Sequence, residues 1–243
     1  MANWSRDEQL VALRLYLTEP FGRLHKTNPR IMKLAEALGT RSASALSMKA
    51  CNFASLDPTF VKSGRRGLSG ASEADRALWA EFESSRNEVV SQMEALIEPT
   101  LPEDVRAPRG DSEAVRSVTV RRHQRFFRDE VKAAYGGRCA VTGLDVPELL
   151  VASHIIPWAE SPARRTDATN GLLLNALFDR AFDRGLISFD DARRLLCAKS
   201  LKRKKSAARR MLLDHEGSAL RTPERAPAAL DALRWHRENC FDG

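Results

Sequence analysis

One histidine and three side chains with oxygen donors follow each other at short intervals in residues 151–189. His154 lies in the apolar run LLVASHIIPW, Asn170 comes sixteen residues later, Asp179 nine after that and Asp183 four further on. Hydrolysis of a phosphodiester needs a base that activates water and a cation that neutralises the charge developing on phosphorus and the leaving oxygen. The spacing therefore predicts a metal-dependent phosphodiester hydrolase.

Each of these residue types suits one part of that reaction. A neutral imidazole with a pKa near 6.5 accepts a proton at about pH 7, so His154 is the candidate base. The segment ALFDRAFDRG predicts a short helix ended by Gly185, with both aspartates on one face. Two carboxylates on one face suit Mg²⁺ or Mn²⁺. Asn170 precedes the apolar strand GLLL, where its amide either ties down the loop or orients the histidine ring.

The segments YGGRCAVTGL, ASHIIPW, TNGLLL and FDRGLISFD resemble the HNH nuclease family over residues 121–192. The resemblance implies a ββα-metal fold with the base on the first strand and metal ligands around the helix. By this likeness His154 is the general base, Asn170 the loop-orienting residue and Asp179 the third motif residue. Asp183 falls where some relatives place a further ligand.

Two positions depart from the family pattern. Many members have Asp or His directly before the base as a metal ligand, whereas this chain has Ser153. The third position holds Asp179, although the family name implies histidine there. Ser153 is therefore a weak ligand candidate beside Asp179 and Asp183, and water and DNA phosphate oxygens are expected to complete the metal shell.

A purely structural interpretation exists for each of these residues. A histidine in an apolar strand is commonly a core residue, although the downstream partners favour catalysis for His154. Asp183 could brace the helix end against Arg180, and Asn170 could simply form the turn before Gly171.

Positive charge is concentrated in the second half of the sequence. Residues 1–120 contain 16 basic and 16 acidic residues, whereas residues 121–243 contain 23 and 16. Such an excess beside a nuclease motif favours contact with phosphates, although a charge run can also be just a solvated face. The candidate DNA-binding residues are Arg121, Arg122, Arg125, Arg164, Arg165, Arg180, Lys202, Arg203, Lys204 and Lys205.

The pattern predicts an α+β protein with two domains. An all-helical domain (residues 1–96) is followed by a Pro- and Gly-containing linker (97–113), and then by a ββα-metal nuclease domain with flanking helices and a basic C-terminal segment (114–243). Two helices joined through Gly39 and Thr40 could be a helix-turn-helix presenting Ser42, Ser44, Ser47 and Lys49 to DNA, or could be a packing hairpin. After the aspartate helix, LISF and RRLL predict a hairpin of short strands, and LDALRWHRENCF predicts a last helix with His236 on its surface.

The four cysteines show no C-x-x-C spacing, which argues against structural zinc and a disulfide framework and indicates reduced thiols in the cytoplasm. No apolar run reaches the roughly 18 residues of a membrane span, so no membrane partner is expected. Cutting both DNA strands together suggests a homodimer, because one active site makes one nick.

The sequence therefore predicts a cytoplasmic, Mg²⁺- or Mn²⁺-dependent DNA endonuclease of the HNH type, with a possible role in restriction or defence. The main alternative is a DNA-binding regulator on a degenerate HNH fold that does not cleave. Two further alternatives are an assembly protein whose basic tail binds RNA or a partner, and a defence nuclease that stays dormant until the N-terminal half binds modified DNA or a ligand.

Overall fold

The chain folds into two compact units, Met1–Ala133 and Ala134–Gly243. The computed structural model describes residues 3–100, 112–203 and 206–243. Helices dominate these residues, together with two small antiparallel sheets, so the predicted α+β class is confirmed. Most of the predicted linker, residues 101–111, lies outside the described residues. No helix in the described ranges is long and apolar enough to cross a bilayer.

Helices make up the regular structure of the described part of unit 1. They are α1 Arg6–Thr18, α2 Pro29–Leu38, α3 Ala43–Ala54, α4 Pro58–Lys62, α5 Glu73–Ser84, α6 Arg86–Ile97 and α7 Ser112–Ala134. Short polar side chains fix most of the helix starts, because their oxygens accept hydrogen bonds from first-turn N–H groups that have no partner within the helix. These N-caps are Ser5, Asn28, Ser42, Asp57 and Ser72.

Helix α1 lies at the centre of unit 1 and packs against α2, α3, α5 and α6. Every residue from Glu8 to Thr18 is buried, including the charged ones. Arg14, with no exposed surface, donates from Nε to Glu94 at 2.6 Å. A buried charge is tolerated only when paired in this way, so the core of unit 1 contains ion pairs as well as apolar side chains.

The predicted hairpin of two helices is confirmed as α2 and α3. Gly39 ends α2 at φ 66°, a left-handed conformation that glycine adopts without strain. The predicted DNA-facing side of α3 is partly wrong, because two of its four residues are buried. Ser47 donates to the carbonyl of Leu24, and Lys49 pairs with Asp75 at 2.8 Å. Ser47 and Lys49 are therefore buried inside unit 1, whereas Ser42 and Ser44 are exposed.

Helix α7 packs against the other helices of unit 1. Phe126 is fully buried in the apolar core of this unit, and Arg125 donates to Glu94 at 2.6 Å. Asp129 binds both Arg14 and Arg30 at about 3 Å. These contacts explain why unit 1 extends to Ala133, beyond the linker that composition predicted at residues 97–113.

The position of α7 also changes the distribution of charge. Divided at Ala133, unit 1 holds 21 basic and 18 acidic residues, and unit 2 holds 18 and 14. The net charge of +7 is thus shared almost equally, as +3 and +4. The excess of positive charge is therefore not confined to the unit that contains the nuclease motif, although the sequence halves had suggested this.

Unit 2 combines two β-hairpins with short helices. Its elements are β1 Leu150–His154, β2 Gly171–Asn175, α8 Ala176–Asp183, β3 Ile187–Phe189, β4 Leu195–Cys197, α9 Lys199–Lys202, α10 Ala207–Leu213 and α11 Leu230–Asn239. Strands β1 and β2 are antiparallel, with His154 opposite Gly171. Helix α8 follows β2 directly and packs on both strands. The predicted hairpin after α8 is confirmed by the β3 and β4 pair.

Helix α8 has well-defined ends. Asn175 at the N-cap accepts hydrogen bonds from the N–H groups of Leu177 and Phe178. At the other end Gly185 has φ 64°, and the N–H groups of Gly185 and Leu186 bond back to Phe182 and Ala181. This is a Schellman motif, which satisfies the last carbonyls of the helix. A Cβ at Gly185 would also lie 2.0 Å from the carbonyl oxygen of Cys240. Glycine is therefore favoured here both by the positive φ and by the close approach of Cys240.

His236 was expected on the surface of the last helix, and this expectation is wrong. Its ring is 2% exposed and stacks on Phe182 at 3.6 Å between centroids. Nε2 donates to the carbonyl of Phe182, while Nδ1 bonds with the hydroxyl of Ser188. Burial lowers the pKa of His236 to about 4 from its ordinary value of 6.5, against the smaller effect of the Phe182 carbonyl.

We expect unit 2 to lose stability as the pH falls from 6.5 to about 4. In this window the unfolded chain binds a proton at His236 that the folded protein excludes, so stability is complete only above the unfolded pKa. The loss should approach roughly 3 kcal/mol, at about 1.4 kcal/mol for each pKa unit. Urea unfolding at pH 7 and pH 4.5 measures it. The same loss in a His236→Phe variant would assign the pH dependence to other groups.

Candidate active site

His154 ends β1 and is held in one orientation by a backbone contact. Its Nε2 lies 3.0 Å from the carbonyl oxygen of Arg165. A carbonyl can only accept, so Nε2 carries the proton and the lone pair of the neutral ring is on Nδ1. Burial lowers the pKa of His154, and the hydrogen bond to Arg165 opposes this in part. The ring is therefore kept neutral at pH 7, the form that a general base requires.

Asn170 fixes the chain that follows His154. Its Oδ1 accepts from the N–H of Ile156 at 2.9 Å, and its Nδ2 donates to the carbonyl of Ile156 at 3.0 Å. Its own carbonyl accepts from the N–H of Ile155 at 2.9 Å. The side chain thus acts like a neighbouring strand, which favours the loop-tying alternative for Asn170 over contact with the imidazole.

Asp179 and Asp183 lie one turn apart on α8, as the spacing predicted. Asp179 is half-buried and Asp183 is exposed. Partial burial raises the pKa of Asp183, and the carboxylate of Asp179 raises it further, while Arg180 and Arg184 act in the opposite direction. The negative charge of Asp179 thus acts on Asp183, and a cation bound beside both carboxylates would relieve this repulsion.

Ser153 is buried, and within the described residues its Oγ has no hydrogen-bond partner. Successive side chains of a strand point to opposite faces, so Ser153 faces away from the side of β1 that carries His154. This placement does not favour Ser153 as a ligand of a metal bound near the base.

A divalent ion of the magnesium type fits the donors that α8 carries. Mg²⁺ is commonly held by one or two carboxylates, with water and phosphate oxygens completing its shell, and α8 supplies two carboxylates. The described residues contain no group of three or more His, Cys, Asp or Glu side chains that could enclose a metal. An ion held by these two carboxylates alone would leave its other coordination positions to water and phosphate oxygens.

The two arginines in the loop between β1 and β2 have different partners. Arg164 pairs with Asp231 at 2.6 Å. Arg165 places its guanidinium 5.0 Å from the ring centroid of Trp158 and donates from Nε to the carbonyl of Trp158 at 3.1 Å. Arg180 lies exposed on α8 between the two aspartates. Arg165 and Arg180 are thus better placed to contact phosphate than Arg164 is.

The other basic candidates lie farther along the chain from these motifs. Arg122 pairs with Glu98, and Arg125 with Glu94, so both serve the packing of α7 in unit 1. Arg121 is exposed on the same helix, Lys202 pairs with Glu216 at 2.6 Å, and Arg203 is exposed. Lys204 and Lys205 lie outside the described residues.

Trp158 is a site residue that the sequence interpretation missed. Its ring meets the imidazole of His154 edge to face, with centroids 5.6 Å apart. The only signal in the sequence was its position four residues after the histidine. Cys139, by contrast, has a local structural role, because its sulfur accepts from the N–H groups of Thr142 and Asn175.

Residues 139–190 match the HNH_2 family model, described as HNH endonuclease. The match confirms the resemblance to the HNH family over a segment that holds His154, Asn170, Asp179 and Asp183. No curated protein matches the chain. An HNH endonuclease segment indicates a nuclease in general, and hence a nucleic-acid substrate.

Proposed function

We propose that the protein is a divalent-metal-dependent DNA endonuclease in which His154 is the general base. The observation that carries this proposal is the hydrogen bond from Nε2 of His154 to the carbonyl of Arg165, within the segment that matches the family. It fixes a neutral tautomer whose second nitrogen can accept a proton. The β1, β2 and α8 elements are proposed to be the ββα-metal arrangement implied by the resemblance.

The reaction that we propose begins with proton transfer from a water molecule to Nδ1 of His154. The resulting hydroxide attacks phosphorus in line with the leaving oxygen, the bond between phosphorus and that oxygen breaks, and the departing alkoxide takes a proton from solvent water. The imidazolium formed keeps its bond to the Arg165 carbonyl, which stabilises the charged ring as the proton arrives. Arg165 and Arg180 bind the non-bridging oxygens and hold the phosphodiester in register with the base.

Asp179 and Asp183 are the residues that we propose would hold Mg²⁺ or Mn²⁺. When bound, the ion would neutralise charge on the phosphate and its leaving oxygen. The mutual repulsion of the two carboxylates supports this assignment. Ser153 is left out of the proposed ligand set because strand alternation directs it away from the side of His154.

Unit 1 is proposed to select the target or to bring two copies together. A role in restriction or defence would require such a selecting unit. The buried positions of Ser47 and Lys49 restrict any DNA contact by α3 to its outer face, where Ser44 and Met48 are exposed. Contact through that face would involve short polar and apolar side chains instead of charges.

Incubation of supercoiled plasmid with the protein tests the proposed activity. With Mg²⁺ or Mn²⁺ we expect conversion to nicked circles, and with a chelator we expect none. Parallel samples with modified and unmodified plasmid would reveal any requirement for altered bases.

Binding of plasmid without nicking under every metal would contradict the proposal. It would instead favour a DNA-binding regulator, for which the departures at Ser153 and Asp179 are the motivating observations. Equal affinity for RNA and DNA, unaffected by changes at Asp179, would favour an assembly role.

A further inference from the structure

The proposed base and two neighbouring residues contact one another. We call this group the Trp158 bracket, and it consists of His154, Trp158 and Arg165. The imidazole of His154 meets the indole of Trp158 at an interplanar angle of 89°. The guanidinium of Arg165 lies over the same indole, and Nε of Arg165 binds the carbonyl of Trp158. The carbonyl of Arg165 in turn accepts the Nε2 proton of His154.

Two contacts restrain the imidazole. The Arg165 carbonyl selects the tautomer, and the edge-to-face contact with Trp158 limits rotation of the ring about its bond to Cβ. The side chain of Arg165 is anchored by the indole of Trp158 and by the backbone carbonyl of Trp158. Loss of the indole therefore removes the edge-to-face restraint on the imidazole and one of the two anchors of Arg165.

The contacts of Asn170 restrain the backbone beside the base. Asn170 holds Ile155 and Ile156, which fixes the end of β1. Trp158 itself is half-buried in a loop and lies outside the buried core of unit 2. The ring contacts of Trp158 with His154 and Arg165 therefore lie at the site and not in that core.

We propose that Trp158 is a positioning residue for catalysis, which orients the His154 base and holds Arg165 for the scissile phosphate. This inference rests on the proposed endonuclease function and adds a residue outside the histidine, asparagine and aspartate positions. Misplacement of a catalytic group by about 1 Å can cost on the order of 100-fold in rate, so loss of the indole should reduce turnover strongly.

The test compares the full-length wild type with Trp158→Leu and Trp158→Phe in plasmid nicking under saturating Mg²⁺. For Trp158→Leu we expect kcat to fall about 10- to 100-fold with a smaller rise in KM, because the base loses its ring contact and Arg165 loses one of its two anchors. Trp158→Phe should recover most of kcat, since a phenyl edge can still meet the imidazole. Trp235→Leu, another half-buried tryptophan of unit 2, serves as the matched control and should nick at the wild-type rate.

A second readout follows the imidazole directly. ¹⁵N NMR of histidine-labelled protein, with His154 assigned from a His154→Gln variant, distinguishes the two neutral tautomers. We expect the Nε2–H tautomer in the wild type and a mixture in Trp158→Leu. A purely structural role would lower unfolding stability without changing this signature.

The outcomes separate the two proposals. A wild type that nicks, together with a Trp158→Leu variant of unchanged kcat and tautomer, overturns the positioning role and leaves the endonuclease intact. A wild type that does not nick with any metal overturns the endonuclease, and the catalytic role of Trp158 with it. A Trp158→Phe variant as impaired as Trp158→Leu would also contradict support through the ring edge.

Discussion

A His154→Ala variant is expected to nick plasmid about 100- to 10,000-fold more slowly than the wild type, the range over which a positioned general base acts. Nδ1 of His154 is the proposed proton acceptor, and the methyl group of alanine cannot replace it. DNA affinity should change little, because the phosphate contacts are assigned to Arg165 and Arg180. Single-turnover nicking at saturating protein measures the rate, and fluorescence anisotropy with labelled DNA measures the affinity.

The matched control is His25→Ala, which removes an exposed histidine from unit 1. It should nick at the wild-type rate and bind DNA equally well. If His154→Ala retained full activity, the base would have to be another group, and the fixed tautomer of His154 would be only a packing feature.

A Glu94→Gln variant is expected to lose about 3–5 kcal/mol of the unfolding free energy of unit 1. Glu94 is fully buried and accepts from Arg14 and Arg125, both at 2.6 Å. The substitution keeps the shape of the side chain but removes its charge. Among the described residues Asp129 is then the one carboxylate that remains paired with the buried guanidinium of Arg14. Desolvation of a charge without an adequate partner is the source of the loss.

Tryptophan fluorescence can follow this unfolding selectively. In a Trp158→Phe, Trp235→Phe background the remaining tryptophans, Trp4 and Trp79, both lie in unit 1, and Trp79 packs on Tyr16 and Phe82. Urea titrations then report on this unit without a signal from the other. Glu81→Gln is the control, because its partner Arg6 is about half-exposed and surface pairs contribute only about 0–1 kcal/mol. Equal losses of unfolding free energy for Glu94→Gln and Glu81→Gln would show that the buried pair stabilises unit 1 no more than the exposed pair does.

The local features of the site were predictable from the sequence. The helix that carries Asp179 and Asp183, its end at Gly185 and the hairpin after it all depend on neighbouring residues in the chain. For Asn170 the sequence left two alternatives open, and its bonds to the backbone of Ile156 favour the one in which the amide ties down the loop. Such assignments use short-range geometry alone.

The errors concern polar residues whose partners lie far away in the sequence. Lys49 pairs with Asp75, Arg125 with Glu94 and His236 with Phe182, at separations that no periodic pattern encodes. From the sequence alone, a charged residue between apolar positions is predicted to be exposed to solvent unless its partner is known. Trp158 was overlooked because its contacts with the imidazole of His154 and the guanidinium of Arg165 form only in the folded loop.

The packing of α7 decides where the chain can be divided in the laboratory. A recombinant fragment that starts at the predicted boundary, residue 114, would retain a helix whose Phe126 belongs to the core of the discarded half. Its arginines and Asp129 would lose their counterparts, and the exposed phenyl ring would invite aggregation. Expression vectors for the catalytic portion should therefore begin close to Ala134, and those for the helical portion should run through Ala133.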